Sequence, residues 1–145
     1  MTSFAIRRGD LPDDDPTDTA GTNSTVGTGP DTDLDDLLVT FGVTSATCKD
    51  PYASDSCGAW RATLTFSPEQ QVTGTYTDAE VDGFFAEQGP NEGRDQCFGT
   101  GGSLTDFTVT LESIDETGLE MVFEGDGIGP DDVDLTGLSL SVPRC

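Results

Sequence analysis

From Leu34 onward the chain alternates apolar and polar positions with a period of two, the signature of strands with one buried face. Leu37, Val39, Phe41 and Val43 share one parity, and Trp60, Ala62, Leu64 and Phe66 repeat the pattern across Arg61, Thr63 and Thr65. Val72 and Tyr76 flank Gly74, and Phe107, Val109 and Leu111 alternate with Thr108 and Thr110. Leu119, Met121 and Phe123 follow the turn sequence Asp115-Glu116-Thr117-Gly118, which predicts a hairpin between the last two runs. In the final run Val133 and Leu135 lie on one parity and Leu138, Leu140 and Val142 on the other, with Thr136-Gly137 between. Such a phase change predicts a bulge or a strand that crosses to a second sheet. No stretch carries a convincing helical period. Residues 79–88 come nearest, but Gly83 interrupts them, and Phe84 and Phe85 read as a short strand or irregular segment.

Six to seven strands with turns every 8–15 residues predict an all-β domain, a β-sandwich or small barrel, over residues 34–145. The immunoglobulin framework does not match, because Trp60 follows Cys57 by three positions and not by a strand and a loop. Residues 9–33 are almost wholly Asp, Thr, Gly, Pro, Ser and Asn, too poor in apolar groups to repay ordering. Residues 1–33 therefore read as a flexible, disordered acidic leader. MTSFAIRRGD has two arginines but lacks the apolar core of a signal peptide.

Charge narrows the function classes. Six Lys and Arg stand against 28 Asp and Glu, a net charge of −22, which argues against nucleic-acid or anionic-lipid partners. The absence of His removes Ser-His and Cys-His nucleophiles, imidazole acid–base chemistry and the HExxH zinc motif. No apolar run approaches the ~20 residues of a membrane-spanning helix.

The four cysteines, Cys48, Cys57, Cys97 and Cys145, predict two disulfides and an oxidising compartment, extracellular or in the cell envelope. A tetrathiolate zinc site lacks its usual close cysteine spacing. Proximity along the chain favours Cys48–Cys57 with Cys97–Cys145.

The runs CKDPYASDSCGAW, FFAEQGPNEGRDQC and TGGSLTDFTVTLESID, with the terminal PRC, make residues 15–145 resemble a group of uncharacterised bacterial secreted proteins. Many of these look like lipoproteins, with a Thr/Asp/Gly-rich leader ahead of one cysteine-bearing β domain. The resemblance implies a surface or envelope location and no particular activity. This chain departs from the group in having no lipid-acceptor cysteine ahead of the leader.

Candidate chemistry is sparse. Ca²⁺ is the one cofactor the acids could hold: Asp126, Asp131, Asp132 and Asp134 lie in a Gly-containing loop, and DTDLDD (31–36) is a second acidic stretch. Neither follows the EF-hand spacing, and a solvated acidic loop is the plainer reading. Glu87 and Glu92, with Arg94 close by in sequence, offer a carboxylate pair for glycan hydrolysis, although so acidic a chain supplies such pairs by composition alone. Lys49 with Ser54 or Ser56 is a weak dyad, since a loop lysine stays protonated. Arg8-Gly9-Asp10 and Asn23-Ser24-Thr25 spell an adhesion tripeptide and a glycosylation acceptor, and both read as accidental. Tyr52 and Arg94 are the candidate binding residues, whereas Trp60 on its alternating strand reads as core. The function these features predict is a non-enzymatic secreted or cell-surface binding or structural domain for an unknown extracellular ligand. A calcium-dependent adhesion or matrix module and a carboxylate-based glycan hydrolase are the alternatives.

Overall fold

The alternating runs form the two faces of one core. A computed structural model describes residues 1–12, 34–90, 97–125 and 135–145. Nine strands are present among them: β1 (Thr2–Arg7), β2 (Leu37–Val43), β3 (Trp60–Phe66), β4 (Gly74–Thr77), β5 (Asp82–Pro90), β6 (Cys97–Ser103), β7 (Phe107–Ile114), β8 (Gly118–Gly125) and β9 (Leu138–Pro143). They build two antiparallel sheets, ordered β1-β2-β3-β5-β6 and β4-β7-β8-β9, as an open sandwich and not a closed barrel.

The inward parities are the apolar ones. Leu37, Val39 and Phe41 of β2 and the even positions of β3 face Val109, Leu111, Met121 and Phe123 of the other sheet, and all are buried. Phe41 packs on Phe123 with ring centroids 5.2 Å apart and meets Trp60 edge-on at 6.4 Å. Burial of Trp60 agrees with its strand parity.

The strand count exceeds the expected six to seven because two strands carry no simple alternation. β1 pairs with β2 from Thr2↔Gly42 to Arg7↔Leu37. Its Ala5 enters the main core, while Phe4 and Ile6 are buried on the outer face of the sheet against Ala46. With both faces covered, β1 reads as a continuous apolar run. β6 pairs with β5 through a glycine-rich sequence that offers few side chains to any core.

β1 also corrects the extent of the leader. Residues 2–7 belong to the sheet, and Arg8–Asp10 forms a 3₁₀ turn, so the adhesion-like tripeptide is part of the sandwich. The Arg8 amide donates to the Asp36 carbonyl at 2.8 Å and the Gly9 amide to the Leu34 carbonyl at 2.9 Å. Ion pairs Arg7–Asp35 and Arg8–Asp36 reinforce this contact.

The phase change before β9 proves to be a turn. Gly137 has φ +68°, the left-handed region that glycine tolerates, and the Leu138 amide reaches the Leu135 carbonyl at 3.3 Å. β9 then runs beside β8 in a single sheet.

The cysteine pairing also differs from the expected one. Cys48 bonds Cys145 and Cys57 bonds Cys97, with Cα–Cα distances of 5.3 and 5.5 Å. Sequence proximity fails here because strand pairing sets the neighbours. Past β9 the chain runs along β1, where the Cys145 amide donates to the Ala5 carbonyl and Cys48 packs near Phe4. The Gly58 amide bonds the Gln88 carbonyl at 2.7 Å, which brings Cys57 to the end of β5 where β6 begins.

Candidate functional site

The connection between β2 and β3, residues 44–59, folds back over the outer face of the five-stranded sheet. Asp55 organises it. Its carboxylate accepts from the Thr44 hydroxyl at 2.7 Å and the Ser45 amide at 2.9 Å, and lies 3.5 Å from the Arg61 guanidinium. The Asp55 side chain is only 5% exposed, so a charge removed from water is balanced by a cation and two donors. A backbone bond pair between Thr47 and Asp50 tightens the next turn.

This connection covers a cleft of about 170 Å³ on the sheet's outer face. Phe4, Ile6 and Leu38 line it with apolar surface, and Leu11, Pro51 and Tyr52 border it. Thr40, Thr63 and Arg61 bring polar groups: the two hydroxyls lie 3.1 Å apart, and Arg61 also donates to the Pro51 carbonyl at 3.4 Å. Tyr52 is 46% exposed. Typical small-molecule pockets span roughly 300–1,000 Å³, so this one suits a single side chain or a group of that size.

Both disulfides hold the segment that carries Tyr52. Cys48 fixes one side of it to the C-terminal residue and Cys57 fixes the other to the edge strand β6. A binding loop pinned at both ends loses little conformational entropy when it takes a ligand. The disulfides also fit an oxidising environment.

Of the other candidates, Arg94, Asp126, Asp131, Asp132 and Asp134 lie outside the described residues, as do Glu92, Asp31, Asp33 and Asn23-Ser24-Thr25. Asp36 pairs with Arg8, and Asp35 with Arg7. Glu87 is half-buried and accepts from the Thr100 hydroxyl at 3.3 Å. Lys49, Ser54 and Ser56 are exposed. Among the described residues no three acidic or cysteine side chains gather as a metal site, and no helix is long and apolar enough to cross a membrane.

The cleft's apolar lining was missed from sequence. Leu38 stands on the polar parity of its strand, directly after Leu37, and an apolar residue on the solvent side is the signal that something covers that face. Comparison with protein-family models, curated proteins and solved structures yields no match.

Proposed function

We propose that this chain is a non-enzymatic recognition domain working outside the reducing cytosol, and that the cleft beside Tyr52 takes one apolar side chain of an extracellular or surface partner. The observation that carries this reading is the pinning of the Tyr52 segment by two disulfides over an apolar-lined cleft. Apolar lining supplies affinity, while Arg61, Thr40 and Thr63 provide the few oriented polar groups that select among ligands. An aromatic ring on a rigid loop costs little to order on binding. The resemblance to secreted bacterial proteins supports the same compartment.

Titration of the full chain with N-acetyl amino-acid amides, followed by amide NMR, tests the reading. Leucine, methionine or phenylalanine amides should shift the resonances of Leu38, Tyr52, Arg61 and Thr63. Tyr52→Ala should weaken the response at least fivefold without changing the melting temperature. Shifts scattered over both sheets, or unaltered in Tyr52→Ala, would refute the cleft as the site. Four free thiols in the protein isolated from its natural source would refute the compartment.

A further inference from the structure

The sandwich protects its sheet edges unequally. β1 and β9 shield each other: Ala5 bridges Arg144, and the Ser3 hydroxyl donates to the Ser141 carbonyl at 3.3 Å. β4, at the opposite end of its sheet, is only four residues long. β6 differs from all three. It is seven residues long, it ends the five-stranded sheet, and no described strand pairs with its far side. Native proteins blunt such edges with charge, proline or brevity, and CFGTGGS has none of these.

The register identifies the groups this edge presents. The Gln88 amide donates to the Ala59 carbonyl and the Gln88 carbonyl accepts from Gly58, so Gln88 directs its backbone away from β6. In an antiparallel ladder its opposite residue, Gly99, likewise turns its N–H and C=O away from β5. The alternation extends this to Cys97, Gly101 and Ser103. On the outer face Gly101 leaves room for Phe84, whose ring would lie 3.1 Å from a Cβ placed there. Phe84 still remains 53% exposed, so it has surface left for a further side chain. Cys97, bonded to Cys57, fixes the start of the strand.

We infer that the free edge of β6 accepts an extended, cation-bearing segment of another protein as a sixth strand, with Phe84 as its side-chain contact. The choice of occupant follows from charge. Between Arg61 and Arg144 the chain holds a single cation, Arg94, so β5, β7 and β8 carry acids and no strand from β4 to β9 carries a cation. Past the end of β6 comes Asp106, whose amide donates to the Asp78 carboxylate, and these two line a cleft with Glu124. A second copy would bring another −22 to the same edge, whereas a Lys- or Arg-rich strand gains from this field.

The probe is a blocked octapeptide alternating Lys and Val, with a Glu-Val counterpart, titrated into the full chain. The Lys-Val peptide should bind, lose at least tenfold in affinity between about 0.05 and 0.5 M NaCl, and slow amide exchange at Gly99 and Gly101. Gly99→Pro should fold, because its N–H is not used by β5 and its Cβ meets only the Gln88 amide end at 3.2 Å. That variant should bind at least tenfold more weakly. The inference is overturned by no binding at about 1 mM peptide, by equal binding of the Glu-Val peptide or of Gly99→Pro, or by binding that leaves those amides unprotected. Dimerisation of the full chain through β6 as salt is raised would also overturn it, in favour of a second copy.

Discussion

Asp115 shows how one side chain shapes a turn in this protein. Its carboxylate accepts from the Thr117 hydroxyl at 2.6 Å, the Thr117 amide at 2.7 Å and the Gly118 amide at 3.1 Å, closing the hairpin between β7 and β8. The Thr117 hydroxyl, then the Thr117 and Gly118 amides, hold this carboxyl below the ordinary aspartate range, with Arg144 adding a smaller attraction. A carboxyl more acidic in the folded state than in the unfolded one adds stability above its unfolded pKa and loses it as pH falls through the folded value. Asp115→Asn should therefore lower the melting temperature at neutral pH by a few degrees, and the gap from the parent should close as the pH is lowered through the carboxylate range. A constant gap across that titration would contradict the assigned role. The hairpin was legible because Asp and Gly at those turn positions have local jobs. Tyr52 could be picked out as a loop aromatic, but Phe4, Ile6 and Leu38 come from two strands 30 residues apart in sequence, so no local signal joined them into a cleft.

Strands declare themselves in sequence when one face is dry and the other wet. β3, β7 and β8 meet that condition, and their inward residues are those the alternation names; in β2 the named Leu37, Val39 and Phe41 are buried but Val43 is exposed. β1 escapes because the β2–β3 connection buries its outer face, and β6 because three of its seven residues are glycine. Glycine has a different part in β2. Gly42 has φ +150°, and a Cβ there would stand 2.2 Å from the Trp60 carbonyl oxygen and 2.8 Å from the Arg61 Cα, all backbone that cannot swing aside. Gly42→Ala should cost about 2–3 kcal/mol, measured by denaturant unfolding, through strain and parting of β2 from β3. A change below about 0.5 kcal/mol would show that the two strands can separate locally without penalty.

At the scale of the whole molecule, covalent closure opposes charge repulsion. The disulfides join residues 97 and 40 positions apart, closures worth about 4–5 kcal/mol each in the chain-entropy picture, and less in sum because one loop lies inside the other. Replacing Cys48 and Cys145 together by serine should lower the melting temperature by about 10–20 °C. A net charge of −22 makes the loss greater at low salt, since exposed charges are screened over about 8 Å only near physiological ionic strength. Melting should accordingly rise with NaCl, and CaCl₂ at equal ionic strength should add nothing further. An additional rise with CaCl₂ would show that the acids hold a specific cation. The pairing itself was not readable from spacing, because partners were set by where β9 ends and β6 begins.

The Gly9 amide bond to the Leu34 carbonyl joins the stretch that follows the first strand to the stretch that precedes the second. A shortened protein of residues 34–145 and a free peptide of residues 1–12 hold between them every described contact of β1: its pairing with β2, the Ala5 contact with Arg144 and the Arg7–Asp35 ion pair. The two pieces should therefore reassemble when mixed, and the melting temperature of the mixture should climb with peptide concentration by mass action.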